Sequence, residues 1–276
     1  MIKFEEISFT FSDSDESNQL LFDKLNLHIQ YGEYLAIIGP NGSGKTTLAM
    51  IVKGLYRPVG GKIYYSGEDV TAKGINHKVG YIFSNPENQI VSSVVEEDIA
   101  FGPENQGRKS SDIREAVSRA LELGKIKHLK SNLTHLLSGG EQQKVIIAGI
   151  LAMNVECIIF DEAASMLDPV GKREVLALLH RLNKSEGITI IHITHNVEDI
   201  LSADRVIVMD SGKIIFGGSP HLLLHKEDLM DSLKIKSQGK LGLIRKLLQN
   251  GIISRDDLGC IDSMVKSISR HKESLH

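Results

Sequence analysis

Two short glycine-rich segments of this chain have the composition of turns that bind phosphate. Residues Gly39–Thr46 read GPNGSGKT and match the phosphate-binding pattern G-x-x-x-x-G-K-[ST], the P-loop. About a hundred positions later, residues Leu137–Glu141 read LSGGE and open a predicted helix, whose free N–H groups can also meet an anion. The chain therefore has either two separate nucleotide sites or two parts of a shared one.

The P-loop residues have the chemistry needed to hold a nucleoside triphosphate. Its glycines let successive backbone N–H groups point into one concavity at the start of a helix. Lys45 would reach the β- and γ-phosphates, and the Thr46 hydroxyl would bind Mg²⁺. An apolar strand predicted at Leu35–Ile38 leads into the loop and a predicted helix follows it, which is the context that this pattern requires.

Three further side chains lie at predicted strand ends, where they could act on the phosphates. Asp161 and Glu162 follow the apolar run Cys157–Phe160. Asp161 would hold Mg²⁺ through its hydration shell, and Glu162 would accept a proton from an attacking water. His195 follows the predicted strand Thr189–Ile193 and is a candidate to sense the γ-phosphate and position that water.

The elements that must carry these residues alternate between strands and helices. Strand patterns dominate up to Phe83, helical patterns dominate over 86–151, and the two alternate again over 157–216. This order predicts an α/β core interrupted by a helical insertion. Leucine-rich helical segments from His221 onward predict a small C-terminal appendage. No internal repeat or second P-loop is present, which weakens the case for two separate sites.

Composition argues against several classes of protein. With a net charge of −3, the chain lacks the basic footprint of a general nucleic-acid binder. No apolar run reaches the roughly 18 residues of a membrane span. The two cysteines form no C-x-x-C pair, which fits a reducing cytoplasm. We therefore expect a soluble chain that has no nucleic acid as a partner.

Taken together, these motifs resemble those of ATP-binding cassette (ABC) ATPases. The P-loop, the signature turn Leu137–Glu141, the pair Asp161–Glu162, the segment Ser165–Asp168 and His195 follow the family's order and spacing over about residues 2–220. The signature turn is the specific element of this resemblance, because other P-loop NTPases lack it.

The resemblance implies a fold and a partner. The fold would be α/β, with a RecA-like P-loop NTPase core, an antiparallel β subdomain and a helical subdomain at about 86–151. These would form an ATPase domain of residues 1–220, followed by an α-rich appendage at 221–276. Cassettes of this family pack head to tail, so that each ATP lies between one P-loop and the other subunit's signature turn. A chain with a single cassette would therefore need a second ABC ATPase subunit.

The same resemblance assigns roles by position. Glu162, His195 and Lys45 would be catalytic. Thr46 and, through water, Asp161 would bind Mg²⁺. The residues expected to contact ATP are Phe11, Gly39, Pro40, Asn41, Gly42, Ser43, Gly44, Lys45, Thr46, Thr47, Ser138, Gly139, Gly140, Glu141 and Asp168.

The resemblance gives Phe11 and Asp168 more specific roles. Phe11 stands where the family has an aromatic ring stacked on adenine, although a hydrophobic strand residue is the alternative interpretation. Asp168 would communicate across the dimer interface.

A narrower resemblance is to the ATPase subunits of energy-coupling factor (ECF) transporters. It rests on Asn85–Gln89, Val95–Gly102, Ala148–Met153 and Ser165–Pro169. Those importers take up vitamins or transition-metal ions, and their two ATPases drive a membrane scaffold subunit and a separate substrate-binding membrane subunit. The resemblance implies an ATP- and Mg²⁺-dependent translocase subunit at the cytoplasmic face of the cell membrane, paired with a second cassette. That cassette is either a copy of this chain or a different one, and the residue at position 84, Ser84, favours a different one.

One position departs from the family pattern. Most members have Gln directly after the strand predicted at 78–83, where it touches Mg²⁺ and the attacking water and links the site to the membrane subunit. Here the residue is Ser84, which is shorter and would need a bridging water. Whether Ser84 contributes to the metal site is open. We predict that sites built on this P-loop hydrolyse ATP more slowly or couple differently, with Gln89 belonging to the surface that faces the membrane partner.

Three alternatives stay open on the sequence alone. An ABC importer or exporter ATPase outside the ECF group would keep the chemistry and change only the partner. A non-transport ABC protein acting on chromosomes or ribosomes would have long heptad coiled coils or two cassettes in one chain, and this sequence has neither. A small-molecule kinase would share the P-loop but would not need the signature turn.

Overall fold

The computed structural model describes residues 1–11, 20–73, 77–232, 240–254, 257–258 and 261–274. The strands are β1 (Ile2–Phe9), β2 (Phe22–Ile29), β3 (Tyr34–Ile38), β4 (Gly60–Tyr65), β5 (Glu68–Asp69), β6 (Val79–Ile82), β7 (Cys157–Asp161), β8 (Thr189–Ile193), β9 (Arg205–Asp210) and β10 (Lys213–Gly218). The helices are α1 (Lys45–Lys53), α2 (Val95–Asn105), α3 (Ser110–Gly124), α4 (Gly139–Ala152), α5 (Pro169–Glu186), α6 (Pro220–Leu224), α7 (Glu227–Ser232), α8 (Lys240–Gln249) and α9 (Ile261–Ser274).

The strands form two sheets. The larger sheet has the order β10-β9-β3-β8-β7-β6, in which all neighbours run parallel except β10, which pairs antiparallel with β9 at the edge. The smaller sheet is antiparallel and has the order β2-β1-β4-β5. The alternation of strands and helices that predicted an α/β fold is thereby confirmed.

Strands β3, β7 and β8 form the centre of the larger sheet because their sequences are nearly continuous apolar runs. Every residue of these three strands is buried, as expected for a parallel sheet that is covered on both faces. Leu35 and Ile37 share a hydrophobic cluster with α1 and the smaller sheet. Ala36 and Ile38, on the opposite face, share another cluster with α5. The carboxyl ends of these strands are therefore held rigidly between two layers.

The helical insertion between β6 and β7 has a hydrophobic cluster of its own. Val95 and Ile99 of α2, Leu121 of α3 and Val145 of α4 are all buried within it. The next residues of α4, including Ile146, belong to the cluster shared with α5. Helix α4 thus joins the insertion to the core, and its first residues belong to the signature turn.

The C-terminal segment contributes to the same core. The buried residues Met230, Ile244, Ile253 and Met264 belong to the cluster that covers the α5 face of the larger sheet. The division of the chain at residue 220 stays a prediction, and parts of the predicted appendage (233–239, 255–256, 259–260 and 275–276) lie outside the described residues. None of the described helices is long and apolar enough to cross a membrane.

Candidate functional site

The carboxyl ends of β3, β7 and β8 bring the predicted catalytic residues together. Asp161 is paired in register with Ile193, the last residue of β8. The backbone N–H of Glu162 donates to the carbonyl of Ile193 at 2.9 Å, and that of Thr194 donates to the carbonyl of Ile37 at 3.2 Å. The P-loop, the two acids and the residue preceding His195 thus leave the same edge of the sheet.

The path of the P-loop depends on two glycines. Gly44 caps α1 with φ of 100°, and a Cβ atom built there would lie 2.6 Å from the ring of Phe22. A Cβ atom at Gly39 would lie 2.1 Å from the carbonyl oxygen of Met209. No side chain fits at either position, so both must be glycine. Glycine lets the loop curl tightly at the start of α1.

Lys45 lies at the centre of this loop. Its ammonium group donates hydrogen bonds to the carbonyl oxygens of Gly39 and Pro40, both at 2.9 Å. Burial lowers the pKa of Lys45, while the charges of Glu162 and Asp161 act in the opposite direction. The ammonium group is therefore near both acids and within reach of anything that the loop encloses.

The loop also contains a polar group that the described part of the protein leaves unsatisfied. The Ser43 hydroxyl is buried and has no hydrogen-bond partner among the described residues. Thr47, also predicted to contact ATP, is 8% exposed in the first turn of α1, whereas Thr46 is exposed. A buried hydroxyl that lacks a partner is costly, so Ser43 is suited to bind a polar ligand in the loop.

The expected Mg²⁺ donors are hydroxyl and carboxylate oxygens, the hard ligands that this ion prefers. The Thr46 hydroxyl hydrogen-bonds Asp161. The Tyr81 hydroxyl donates to Asp161 Oδ2 at 2.6 Å. Burial raises the pKa of Asp161, opposed by the hydrogen bonds from Tyr81 and Thr46. A buried carboxylate next to a hydroxyl gains from a divalent cation, so the donor set fits Mg²⁺ held together with a nucleotide.

Glu162 and His195 face each other across a small cavity. His195 Nδ1 lies 3.7 Å from Glu162 Oε2, and 62% of the histidine side chain is exposed. The cavity has a volume of about 180 Å³, and its lining includes both residues together with Lys172 and Asp199. A carboxylate and an imidazole this close together can both contact one water molecule in the adjoining cavity.

Phe11 is exposed, as a stacking residue has to be. Its side chain is 67% exposed and makes T-shaped contacts with Phe9 and Tyr56, at ring-centroid distances of 5.1 and 5.9 Å. Phe9 also contacts Phe22, the residue that packs on Gly44. Phe11 therefore belongs to an aromatic cluster that reaches the P-loop.

The signature turn forms a separate site on α4. Ser138 caps the helix and Glu141 completes a capping box, because the Glu141 carboxylate accepts from the Ser138 N–H at 2.9 Å and from its hydroxyl at 2.7 Å. The turn and the start of α5 line a groove of about 440 Å³, which includes Asp168 and Gly171 and contains none of the residues 39–47. This groove at the signature turn therefore includes no part of the P-loop.

Asp168 has a local partner in this structure. Its carboxylate caps α5 by accepting from the N–H groups of Val170 and Gly171, at 2.8 and 3.1 Å. These two hydrogen bonds lower the pKa of Asp168. The exposed side chains Met166 and Val170 flank it, so a charged cap lies within an apolar surface next to the signature turn.

Ser84 lies at an exposed bend after β6. Gln89 instead supports this strand end, because its side chain accepts from the N–H of Phe83 at 2.7 Å and donates to the carbonyl of Tyr81 at 3.1 Å. Gln89 also lines a cleft of about 880 Å³ between the core and the helical insertion. Gln89, five residues after Ser84, therefore holds the backbone at the end of β6, the strand next to the one that ends in Asp161.

Comparison with known sequences decides the family. The family described as ABC transporter matches residues 22–165. This chain belongs to the ABC transporter family. The energy-coupling factor transporter ATP-binding protein EcfA1 of Clostridium novyi is 40% identical over 99% of this chain and 99% of its own length.

Solved structures of ABC transporter proteins are also similar to the structure of this chain. The structure of cbiO1 from Clostridium perfringens, described as part of the ABC transporter complex cbiONQ, is 34% identical with a TM-score of 0.76, covering 90% of this chain and 98% of that one. The ATP-binding cassette MJ0796, in a dimeric post-hydrolysis state bound to ADP and Pi, is 25% identical with a TM-score of 0.68, covering 80% of this chain and 99% of its own.

Tyr81 was not among the residues predicted from the sequence, although it contacts Asp161, the expected Mg²⁺ ligand. Its side chain is 6% exposed and stacks near Phe83, yet its hydroxyl reaches Asp161 on the neighbouring strand. The signal was a tyrosine inside an otherwise apolar strand, since a buried phenol almost always has a hydrogen-bond partner.

Replacing Tyr81 with Phe should weaken metal binding more than ATP binding. The variant removes the hydrogen bond that orients Asp161, and loss of such an outer contact costs about 10- to 100-fold in metal affinity. The measurement is Mn²⁺ binding to the ATP-loaded protein by electron paramagnetic resonance. Tyr65→Phe is the matched control, because Tyr65 donates to Glu156 at 3.0 Å and has no contact with Asp161. Equal Mn²⁺ affinity in the two variants would exclude Tyr81 from this role.

Proposed function

We propose that this chain is the ATP-hydrolysing subunit of an ECF-type importer for vitamins or other micronutrients, such as transition-metal ions. It would bind peripherally at the cytoplasmic face of the membrane and drive a scaffold subunit and a separate substrate-binding membrane subunit. The name of the Clostridium novyi relative supports this proposal, as does the neighbour from the cbiONQ complex. The ABC importer and exporter ATPases outside this group are the alternative.

One observation carries the proposal for the site. The groove lined by the signature turn and Asp168 contains none of residues 39–47, and none of the expected catalytic and metal-binding residues Asp161, Glu162 and His195. Each half-site would therefore be completed by a second cassette. The exposed apolar side chains Met166 and Val170 beside the groove suit a surface that becomes buried between subunits.

Closure of the two cassettes would depend on ATP. Each γ-phosphate would gain contacts from the P-loop of one subunit and from Ser138, Gly139 and Gly140 of the other, so ATP favours the closed dimer. Lys45 would exchange the carbonyls of Gly39 and Pro40 for phosphate oxygens, and Ser43 would gain the partner that it lacks. Phe11 would stack on the adenine, and the N–H groups of residues 41–47 would hold the phosphates.

Hydrolysis would then open the dimer. Thr46 and Asp161 would hold Mg²⁺, which supplies charge neutralisation at the β- and γ-phosphates. Glu162 would take the proton of the attacking water, and His195, whose Nδ1 lies 3.7 Å from Glu162 Oε2, would orient that water. Loss of the γ-phosphate removes the contacts that join the subunits, and the membrane subunits would follow the movement.

The membrane partner would dock in the cleft beside Gln89. Val91, Phe101 and Phe83 line this cleft and are 59%, 46% and 39% exposed. Such a group of exposed apolar side chains is unusual unless a partner covers it. Because the cleft adjoins β6, whose Tyr81 contacts Asp161, a docked subunit would lie close to the catalytic edge.

The second cassette would be a different chain. Ser84 supports this. A cassette with Ser at this position can be paired with a cassette that keeps the longer Gln side chain of the family pattern. Under this proposal, one of the two composite sites hydrolyses ATP faster than the other.

Replacing Ser84 with Gln should raise the ATPase rate several-fold, about 0.5–1 kcal/mol in the barrier, because the longer amide reaches the attacking water directly. The assay compares turnover and uptake by the assembled transporter. Ser111→Gln, at an exposed position in α3, is the control for adding the same group elsewhere. Unchanged turnover and uptake with Ser84→Gln would reject the proposed role of Ser84.

The function is tested by isolating the chain from its native membrane in mild detergent and identifying what accompanies it. We expect a second, different cassette and a scaffold membrane protein, with a substrate-binding membrane subunit. Recovery of a soluble dimer of this chain alone would contradict the ECF proposal. A pair of permease subunits without a separate substrate-binding membrane protein would instead favour an importer or exporter of another ABC group.

A further inference from the structure

Helix α5 contacts both half-sites of the cassette. At its start, Gly171 packs so closely on the signature turn that a Cβ atom at Gly140 would lie 2.9 Å from the Cα atom of Gly171. One residue further, the Lys172 ammonium group lies 2.8 Å from Asp199 Oδ2, in the turn that follows His195. The same helix turn therefore joins the signature turn to the segment that carries His195.

The Lys172–Asp199 ion pair is enclosed in the protein. The Asp199 side chain is 7% exposed and that of Lys172 is 23% exposed. Burial raises the pKa of Asp199, and the hydrogen bond and charge of Lys172 oppose this. A buried carboxylate is strongly destabilised without its cation. A shift of α5 must therefore either move the Asp199 segment with it or break the ion pair.

Asp199 in turn fixes the residues on both sides of His195. The Thr194 hydroxyl donates to Asp199 Oδ2 at 3.2 Å. The same hydroxyl oxygen accepts a hydrogen bond from the Asn196 N–H at 3.0 Å. Asn196 also caps the short helical turn Val197–Ile200 that contains Asp199. The mostly exposed His195 ring thus takes its position from a backbone segment that this network holds.

We propose that Lys172 and Asp199 are positioning residues that make the placement of His195 depend on the signature turn of the same chain. When the partner's nucleotide engages the signature turn, the start of α5 shifts with Gly140, and the ion pair carries that shift to His195. Hydrolysis at one P-loop thereby depends on nucleotide bound at the other composite site. The inference rests on the proposed role of His195 in hydrolysis.

The test uses the assembled transporter carrying Lys172→Met, Asp199→Asn or Lys172→Arg, with Lys184→Met as the matched control. Lys184 is on the same helix and pairs with Asp204 at 2.6 Å, far along α5 from the signature turn. We expect Lys172→Met and Asp199→Asn each to lower kcat about tenfold with the KM for ATP nearly unchanged. The Hill coefficient for ATP should fall toward one, and Lys172→Arg should restore both quantities.

A neutral double variant, Lys172→Met/Asp199→Asn, guards against misfolding, because it leaves no unpaired buried charge and keeps an acceptor for the Thr194 hydroxyl. It should keep the unfolding temperature of the parent and lose about as much kcat as either single variant, since one link is broken in each case. Normal kcat and cooperativity in the folded double variant would overturn the inference. Failure of the proposed function is a separate result, namely that the unaltered complex neither hydrolyses ATP nor depends on Glu162.

Discussion

Replacing Glu162 with Gln should lower the ATPase rate about 10²- to 10⁴-fold, the range expected when a general base is removed. ATP binding should be retained, because Lys45 and the P-loop backbone are unchanged. Binding without hydrolysis should trap the cassettes as a closed dimer, which size-exclusion chromatography with ATP and Mg²⁺ detects. The effect is large because Glu162 and His195 are the pair that faces the cavity at the strand ends.

Glu115→Gln is the control for this change. It makes the same replacement of carboxylate by amide at an exposed position on α3 and should hydrolyse ATP at the parent rate. If Glu162→Gln turned over normally, the base would have to be another group. If it lost ATP binding as well, its role would be structural.

Replacing Gly140 with Ala should abolish most hydrolysis although the P-loop of the altered chain is intact. The new methyl group would lie 2.9 Å from the Cα atom of Gly171 and would push α4 and α5 apart. A displacement of about 1 Å at a catalytic constellation can cost about 100-fold in rate. The loss should fall on the nucleotide that this signature turn completes, with ATP affinity of the altered chain's own P-loop unchanged.

Gly149→Ala provides a closely matched comparison. It adds the same methyl group to the same helix, where the nearest atom, the Cα of Ile99, is 3.9 Å away. We expect it to hydrolyse ATP within about twofold of the parent, because that contact is an ordinary one. Equal losses in both variants would point to general damage of α4 rather than to the signature turn.

Most of the site was predictable because its parts are short and continuous in the sequence. The P-loop is a single run, and Asp161 and His195 each follow an apolar run whose strand end could be placed without knowing its neighbours. Parallel pairing of β3, β7 and β8 then brings these ends together. The local sequence pattern was sufficient to predict these residues because each of them directly follows the end of a strand.

The missed contacts depend on which elements become neighbours in space. Tyr81 meets Asp161 only because β6 pairs with β7, and Lys172 meets Asp199 only because α5 packs beside the end of β8. No periodicity within either segment encodes these pairings. The close approach of Gly140 to Gly171 likewise depends on how α4 crosses α5, which hydrophobic patterning leaves open.

The proposed function requires that the signature turn of one chain completes the nucleotide site of another. The most direct measurement uses a dimer that pairs one Lys45→Ala chain with one unaltered cassette, and an ATP analogue with a photoreactive group on its γ-phosphate. Residues 138–141 of the Lys45→Ala chain should become labelled, because the analogue is held by the other subunit's P-loop. Label confined to the unaltered chain would contradict the shared site, since each signature turn would then serve its own P-loop.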